Sequence, residues 1–394
     1  MRPLVGRRTA TICLYSKPSI QRLDWITYSD LVRSRAPSTR AFTSTSHRPS
    51  QSKFSYRVAA AYSAKGRRYD PERNVFTFNP FNRIQTAVAD RNVNNLKKLG
   101  RPASGQDAFF VSRVGETEGV AFGVADGVGG WIESGIDSAL FSHGLCEQMA
   151  KAASEFDTQS SPSALRAQEL LATGYKNVLR DRSIPGGGST ACVAVARSDG
   201  SLNVANLGDS GFVQLRLNAV HYYSNPQTHA FNTPYQLTIL PPRILAQSRI
   251  FGGLPNHDLP EDADNVDRTV RHGDVLVYAT DGVWDNLSAQ QVLGIVSNHM
   301  TESKAWDSSK DGIVIGDRLA KLAPEAVSSV ETHPGPTLQN TLASAIAGNA
   351  KMASVNTKVD GPFAKEVQRL YPLDDYHGGK VDDICVVVAV VVEQ

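Results

Sequence analysis

Short apolar runs separated by polar turns make up most of the hydrophobic pattern of this chain. The runs at Val120–Val124, Val275–Ala279 and Ile384–Val392 are β-rich, which predicts buried strands. Residues 138–156 and 163–181 instead place apolar side chains at helical spacing, with a polar opposite face. Short glycine turns join the strands, and the helices come in pairs instead of one between each two strands. We therefore predict an α+β sandwich of antiparallel sheets and not a doubly wound sheet.

Weaker signals suggest further elements. Residues 76–81 are expected to begin the first strand, and Ser288 is expected to be the N-cap of a helix. Residues 241–272 are polar and carry five acids between Asp258 and Asp267, so we expect a surface loop with solvated acids.

Aspartates lie at the ends of several predicted strands. Asp126 closes the first apolar run and is followed by Gly127, and the same Asp-Gly pair recurs at Asp281. Asp382 precedes the last run, and Asp209 follows a strand signal at residues 202–207. Each Asp-Gly can be a plain turn, but its glycine also lets the chain take positive φ and offer a carbonyl oxygen. Strand ends on one edge of a sheet can converge, and converging carboxylates require a cation between them.

The acids point to a particular class of metal. No histidine or cysteine accompanies them in the sequence, and a set of oxygen ligands favours Mg²⁺ or Mn²⁺ over Zn²⁺. The triple glycine at residues 186–188 lacks the lysine of a P-loop and precedes a strand, so we interpret it as a close-approach turn.

Several motifs taken together resemble the metal-dependent protein serine/threonine phosphatases of type 2C (PPM-type). They occur in the family's order and spacing between about residue 75 and residue 394, namely Gln106–Phe110, Val124–Trp131, Gly187–Ala191, Asn206–Gly211, Ala279–Asn286 and Asp382–Ile384. The segment Ala230–Leu237 further resembles the mitochondrial branch of this family. The resemblance implies a four-layer sandwich of two antiparallel β-sheets flanked by α-helices, with a dimetal site at one end.

The resemblance also suggests which acids bind metal. We expect Asp126 to bridge two divalent cations, the carbonyl of Gly127 to bind one of them, and Asp281 and Asp382 to bind the other. Asp209 matches the acid that binds a weaker third ion in the family, and a plain turn aspartate is the alternative at this position.

Three further positions are interpreted through the family. Asp107 corresponds to an acid that orients metal-bound water. Arg101 is the nearest candidate for an arginine that binds the substrate phosphate, although its spacing differs by about one residue and a solvated surface arginine is the alternative. Val128 stands where many relatives have a histidine, the proposed acid for the leaving oxygen.

These residues predict a phosphoric monoester hydrolase. A hydroxide bridging the two cations would attack phosphorus in line, and no Cys-x5-Arg motif supports a phosphocysteine route. The expected partners are phosphoserine and phosphothreonine proteins, which the mitochondrial branch implies to be metabolic enzymes, with a link to coenzyme Q biosynthesis. A catalytically weak pseudophosphatase that acts as a scaffold is one alternative, and a small-molecule phosphohydrolase is another. We expect a monomer.

The N-terminal residues differ from the rest of the chain. Residues 1–60 hold nine arginines and two lysines against two aspartates, although the whole chain carries a net charge of only +2. This acid-poor composition, rich in Arg, Ser and Thr, predicts a mitochondrial transit peptide at residues 1–53, cleaved on import into the matrix. A disordered regulatory tail or a basic arm for anionic partners is the alternative. We expect a linker at residues 54–75 and a single catalytic domain at residues 76–394.

Two classes of partner are not expected. The near-neutral total charge gives no overall attraction to nucleic acid. No apolar run reaches the roughly 18 residues of a transmembrane segment.

The four cysteines form no Cys-x-x-Cys pair, so we predict buried free thiols with neither disulfide nor zinc at Cys13, Cys146, Cys192 and Cys385.

Overall fold

The computed structural model describes residues 53–81, 84–86, 103–159, 164–251, 256–310, 312–326 and 336–394. Residues 50–394 form one compact unit. The predicted transit peptide, apart from Lys53, lies outside the described residues, as do Cys13 and Arg101.

The described residues contain strands and helices throughout. In chain order the strands are β1 (Phe54–Ser63), β2 (Val75–Thr77), β3 (Ile84–Thr86), β4 (Asp107–Arg113), β5 (Val120–Asp126), β6 (Gly187–Ser189), β7 (Ala191–Ala196), β8 (Ser201–Leu207), β9 (Gly211–Arg216), β10 (Ala219–Tyr223), β11 (Thr228–Ala230), β12 (Thr233–Pro234), β13 (Leu237–Ile239), β14 (Asp264–Thr269), β15 (Val275–Ala279), β16 (Trp306–Ser309), β17 (Gly312–Ile315) and β18 (Ile384–Glu393). The α-helices are α1 (Ala139–Ser154), α2 (Ala167–Val178), α3 (Pro242–Phe251), α4 (Asp281–Trp284), α5 (Ala289–Glu302), α6 (Leu319–Leu322), α7 (Leu338–Ser354) and α8 (Pro362–Leu370).

Two six-stranded antiparallel sheets dominate the fold. Sheet I has the strand order β10-β9-β15-β18-β1-β2, and sheet II has the order β14-β8-β7-β5-β4-β3. Shorter two-stranded pairs are formed by β11 with β12, β13 with β6, and β16 with β17. The predicted α+β class with antiparallel sheets is therefore confirmed.

Strand β18 shows how the layers are built. Its apolar residues alternate between two cores, so that Cys385 and Val387 face the core between the sheets while Val386 and Val388 face the core under the helices. A strand buried on both faces needs apolar residues at every position, which explains the unbroken apolar run. Helices α5 and α7 cover sheet I, and α1 and α2 cover sheet II. The predicted four-layer sandwich is confirmed.

The predicted linker at residues 54–75 is wrong over its first ten residues. These residues form β1, which pairs with β18 from Phe54↔Glu393 to Ser63↔Ile384. The strand at residues 75–77, where we expected the first strand to begin, is β2 and pairs with β1. Small alanines give β1 a weak hydrophobic signal, and its place in the sheet depends on a partner more than 300 residues away in the sequence.

The expected surface loop at residues 241–272 is also wrong in part. It contains helix α3 and strand β14, which forms the edge of sheet II beside β8. Asp267 on this edge accepts hydrogen bonds from Arg166 at 3.0 Å and from Asn203 at 2.8 Å. A charged edge strand follows no clear hydrophobic alternation, because only its backbone is needed for pairing.

Two smaller expectations can be compared with the structure. Ser288 caps α5, because its hydroxyl accepts a hydrogen bond from the backbone N–H of Gln291. Cys146, Cys192 and Cys385 are free and buried, as predicted.

Within the described part of the chain, no helix has the length and hydropathy needed to cross a membrane.

Candidate metal centre

The strand directions bring the predicted acids to one end of the sandwich. In sheet II, β4 begins at Asp107 and β5 ends at Asp126, and these two residues are paired in register. In sheet I, β15 ends just before Asp281, while its neighbour β18 begins just after Asp383. Antiparallel neighbours place the end of one strand beside the start of the next, so each sheet delivers acids to the same end.

A cavity of about 470 Å³ opens at this end. Five predicted residues line it, namely Asp126, Gly127, Asp209, Asp281 and Asp382. Residues that the sequence analysis had not assigned also line it, among them Lys65, Thr190 and Lys380. Asp107 is not among the lining residues but pairs with Asp126 directly behind the cavity.

Asp107 is the most deeply buried of these acids, with 1% of its surface exposed. The hydroxyl of Thr280 donates a hydrogen bond to its Oδ2 at 2.7 Å, while Oδ1 has no partner among the described residues. Burial, and then the charge of Asp383, raises the pKa of Asp107 well above its ordinary value. An unpartnered buried oxygen of this kind calls for a water or an ion.

Asp126 is fixed by backbone contacts to Thr190, whose N–H donates to the Asp126 carbonyl at 2.9 Å. Burial, followed by the charges of Asp107 and Asp281, raises the pKa of the Asp126 carboxyl well above its ordinary value. The carboxyl therefore lacks a matching positive charge among the described residues.

Gly127 is required for a reason other than the one expected. Its φ does not lie in the left-handed region, and neither do those of Gly129 and Gly130. A Cβ at Gly127 would instead stand 2.9 Å from the carbonyl oxygen of Ser138 and 3.0 Å from that of Gln106. The glycine thus allows two chain segments to approach the end of β5 closely.

Lys380 connects three acids and was missed by the sequence analysis. Its Nζ lies 2.6 Å from Asp281, 2.6 Å from Asp285 and 3.3 Å from Asp382. Burial acts to raise the pKa of Asp281, but the Lys380 ammonium, together with hydrogen bonds to Asp126 and Asp285, holds that pKa below its ordinary value. The only sequence signal was the position of Lys380, two residues before Asp382.

The adjacent acids Asp382 and Asp383 have different surroundings. Both line the cavity, but only the Asp382 carboxylate is paired with the ammonium groups of Lys380 and Lys65 among the described ion pairs, each at 3.3 Å. Asp383 is 7% exposed, and its carboxylate accepts hydrogen bonds from the backbone N–H groups of Gln106 at 2.8 Å and Lys65 at 2.5 Å. Asp383 therefore holds neighbouring chain segments together, while Asp382 remains available to a ligand.

Asp209 lies at the border between this cavity and a second one. Burial and the charge of Asp281 raise its pKa to about 7, although Lys380 acts in the opposite direction. The second cavity has a volume of about 490 Å³ and is lined largely by aromatic and acidic side chains, including Tyr223, Phe231, Trp284, Asp285, Phe363 and Glu366. Asn232 also lines both cavities, so the two lie next to each other.

No histidine is among the described residues that line the first cavity. Val128 lines it instead, and its N–H donates to the carbonyl of Gly188 at 2.9 Å. His229 stacks on Tyr235 with 4.2 Å between ring centroids and contacts Asp258 at 3.0 Å. His229 thereby anchors the β11–β12 hairpin, a structural role.

The residues fit a hard divalent cation. All the candidate side chains offer oxygen, several acids have raised pKa values, and Asp107 has an unpartnered oxygen. Over the described ranges, no group of three or more His, Cys, Asp and Glu side chains is arranged so that it could hold a metal ion. Asp281 and Asp382 instead contact the ammonium of Lys380.

Comparison with known proteins identifies the family. Residues 98–309 match the family model described as Protein phosphatase 2C. The chain is 30% identical over 294 residues to "Protein phosphatase 2C homolog 7, mitochondrial" of Saccharomyces cerevisiae, covering 74% of this chain and 76% of that protein. It is 32% identical over 296 residues to "Protein phosphatase PTC7 homolog" of Homo sapiens, covering 73% and 80%.

A solved structure agrees at the level of the fold. The photosystem II phosphatase PBCP is 24% identical to this chain and aligns with a TM-score of 0.52, covering 78% of this chain and 97% of that one. The resemblance predicted from the motifs is therefore confirmed, and this chain belongs to the protein phosphatase 2C family.

Proposed function

We propose that this protein phosphatase hydrolyses phosphoserine and phosphothreonine in proteins and uses Mg²⁺ or Mn²⁺. The observation that carries the proposal is the set of acids around one open cavity, with too little positive charge to match them. Burial and mutual repulsion raise the pKa values of Asp107, Asp126 and Asp209. Divalent cations would relieve this repulsion.

The proposed ligands follow the sequence prediction. Asp126, the carbonyl of Gly127, Asp281 and Asp382 would hold two ions, and Asp209 a weaker third. When bound, the ions would supply the acidity that generates a nucleophile from water near neutral pH and would neutralise the phosphate oxygens.

The protein's own groups orient water and substrate. Asp107 is held by Thr280 through Oδ2, and its buried Oδ1, which has no hydrogen-bond partner among the described residues, would accept a hydrogen bond from a buried water. Val128 cannot donate a proton, so either water protonates the leaving oxygen or the activity is lower than in relatives with histidine. We retain Arg101 as the proposed contact to the substrate phosphate.

The second cavity favours a protein substrate over a small phosphate ester. A small ester would need only the first cavity, whereas a peptide carrying the phosphate must extend beyond it. The aromatic walls formed by Phe231 and Phe363, whose ring centroids are 5.1 Å apart, offer apolar contact to such a peptide.

We place the protein in the mitochondrion, in the matrix, as a monomer. The basic, acid-poor composition of residues 1–53 and the yeast relative's name support import. Matrix residence implies metabolic enzymes as substrates, with coenzyme Q biosynthesis as a candidate process. Import of a fluorescent fusion, with and without residues 1–53, tests the location.

Phosphate release from a phosphothreonine peptide tests the activity. We expect the full-length protein to be active with Mn²⁺ or Mg²⁺ and inactive with chelator. Asp126→Ala and Asp281→Ala should lower activity by about 100-fold or more, because each removes a proposed ligand. Asp307→Ala, at an exposed ion pair with Lys304, is the control that should remain active.

A second candidate is a scaffold that binds phosphoproteins without turnover, which Val128 at the usual histidine position favours. Folded protein that binds Mn²⁺ but releases no phosphate from peptide or from p-nitrophenyl phosphate would establish this candidate. Release from p-nitrophenyl phosphate alone would indicate a small-molecule phosphohydrolase.

A further inference from the structure

We propose that Lys380 is an internal counter-cation of the metal centre, which replaces divalent cations when they are absent and competes with them when they bind. This inference rests on the proposed metal site. In this proposal the charge of a lysine, and not only the acids, sets the affinity of the site for metal.

The ammonium of Lys380 is held by three carboxylates. Two of them, Asp281 and Asp382, are proposed metal ligands, and the third is Asp285. The lysine side chain is only 15% exposed, so water screens these contacts weakly.

The backbone of Lys380 is held equally firmly. Its N–H donates to Asn286 Oδ1 at 2.9 Å, and Asn286 Nδ2 donates to the Lys380 carbonyl at 2.9 Å. Asn286 is 2% exposed and also donates to the carbonyl of Gly282. The Phe363 ring lies 5.0 Å from the ammonium, within the range of a cation–π contact. The fold therefore positions the positive charge, and a chance surface contact would not show these supports.

This position has two electrostatic consequences. Without divalent cations, the ammonium offsets the repulsion among the three carboxylates and stabilises the folded protein. With divalent cations on Asp281 and Asp382, the ammonium lies close to like charges and weakens their binding. Lys380 thus stabilises the metal-free protein and lowers the affinity of the site for divalent cations.

Lys65 provides a matched comparison within the same cavity. Among the described residues its ammonium is paired with Asp382 alone, at 3.3 Å, and its side chain is 55% exposed. Exposed pairs of this type contribute little because water and salt screen them. Removing the charge of Lys65 should therefore have a much smaller effect than removing that of Lys380.

The test compares full-length wild type, Lys380→Met, Lys380→Arg and Lys65→Met, each first stripped of metal with chelator. Mn²⁺ affinity is measured by calorimetry, and thermal unfolding is measured with and without Mn²⁺. We expect Lys380→Met to bind Mn²⁺ about tenfold more tightly. We also expect it to unfold roughly 5 °C lower without metal. Lys380→Arg, which keeps the charge, should remain near wild type, and Lys65→Met should change either quantity less.

Each outcome separates the two proposals. Equal or weaker Mn²⁺ binding by Lys380→Met, with wild type binding normally, would overturn the counter-cation role. An unchanged unfolding temperature of the metal-free variant would overturn it as well. Failure of wild type to bind Mn²⁺ would overturn the proposed function itself.

Discussion

At the scale of single residues, chemically identical aspartates differ because of their neighbours. Burial and nearby acids raise the pKa values of Asp107 and Asp126, whereas the Lys380 ammonium and neighbouring hydrogen bonds lower that of Asp281 despite its burial. Sequence identifies these residues as acids at strand ends, but the sign of each pKa shift depends on which charge lies within a few ångströms.

His143 is a buried histidine outside the metal centre. It lies on α1, is 2% exposed, and its Nε2 lies 3.5 Å from the hydroxyl of Ser104. Burial lowers its pKa to about 4, so the folded protein keeps it neutral.

This burial predicts acid sensitivity. An unfolded histidine binds a proton near pH 6.5, whereas folded His143 binds one only near pH 4. The unfolded state therefore binds more protons in this window, so the contribution of His143 to stability is intact above about pH 6.5 and is lost as the pH falls toward 4, by about 3 kcal/mol in total.

His143→Gln removes this titration, and urea unfolding of both proteins between about pH 5 and pH 8 measures it. The free energy of unfolding of wild type should fall more steeply with acid than that of the variant. The carboxylates titrate in both proteins, so the difference isolates His143. Parallel pH curves would contradict the prediction.

At the scale of elements, the proposed metal centre depends on the close approach of α4 to the start of β18. A Cβ at Gly282, in the first turn of α4, would collide with the carbonyl oxygen of Asp383. The second Asp-Gly pair therefore reflects close packing between two segments and not a tight turn.

Gly282→Ala should accordingly disturb both segments. We expect a loss of about 2 to 3 kcal/mol in the free energy of unfolding. We also expect weaker Mn²⁺ binding, because Asp281 and Asp382 flank the collision. Gly294→Ala is the matched control, since this exposed glycine of α5 has open space around it. The control should be neutral or gain up to about 1 kcal/mol. Equal stability of both variants in chemical unfolding would refute the explanation.

At the scale of the whole molecule, strands from the two ends of the compact unit at residues 50–394 pair with each other. Strand β1, the first of the described strands, lies between β18 and β2 in sheet I. Tyr56 and Val58 from β1 also enter the core between the sheets. Sheet I is therefore complete only when the N-terminal and C-terminal strands are both present.

Truncation of the N-terminal residues tests whether sheet I needs β1. A chain that begins at residue 50 keeps β1 and should give a single cooperative thermal transition. A chain that begins at residue 64 exposes the full edge of β18 and leaves the central core incomplete, so it should aggregate or unfold. Circular dichroism and size-exclusion chromatography would distinguish these states. A folded, soluble shorter chain would show that β1 is dispensable.

The order of residues along the chain was enough to predict the fold class and the strand ends that carry the acids. Strands buried on both faces require unbroken apolar runs, so β5, β15 and β18 were visible directly. Aspartates at the ends of such strands remain recognisable because their neighbours in the chain define the strand end. The motifs in the family's order then indicated the protein phosphatase 2C family.

Which residues act together could be read only from the folded protein. Strand β1 belongs to sheet I because it pairs with β18, at the other end of the sequence. Lys380 contacts three acids, and Asp382 and Asp383 have different surroundings, because of residues that other elements bring close to them. Local periodicity carries no information on such pairings. Electrostatic and packing energies depend on distances in space, and the short distances between these residues arise only once the sheets have formed.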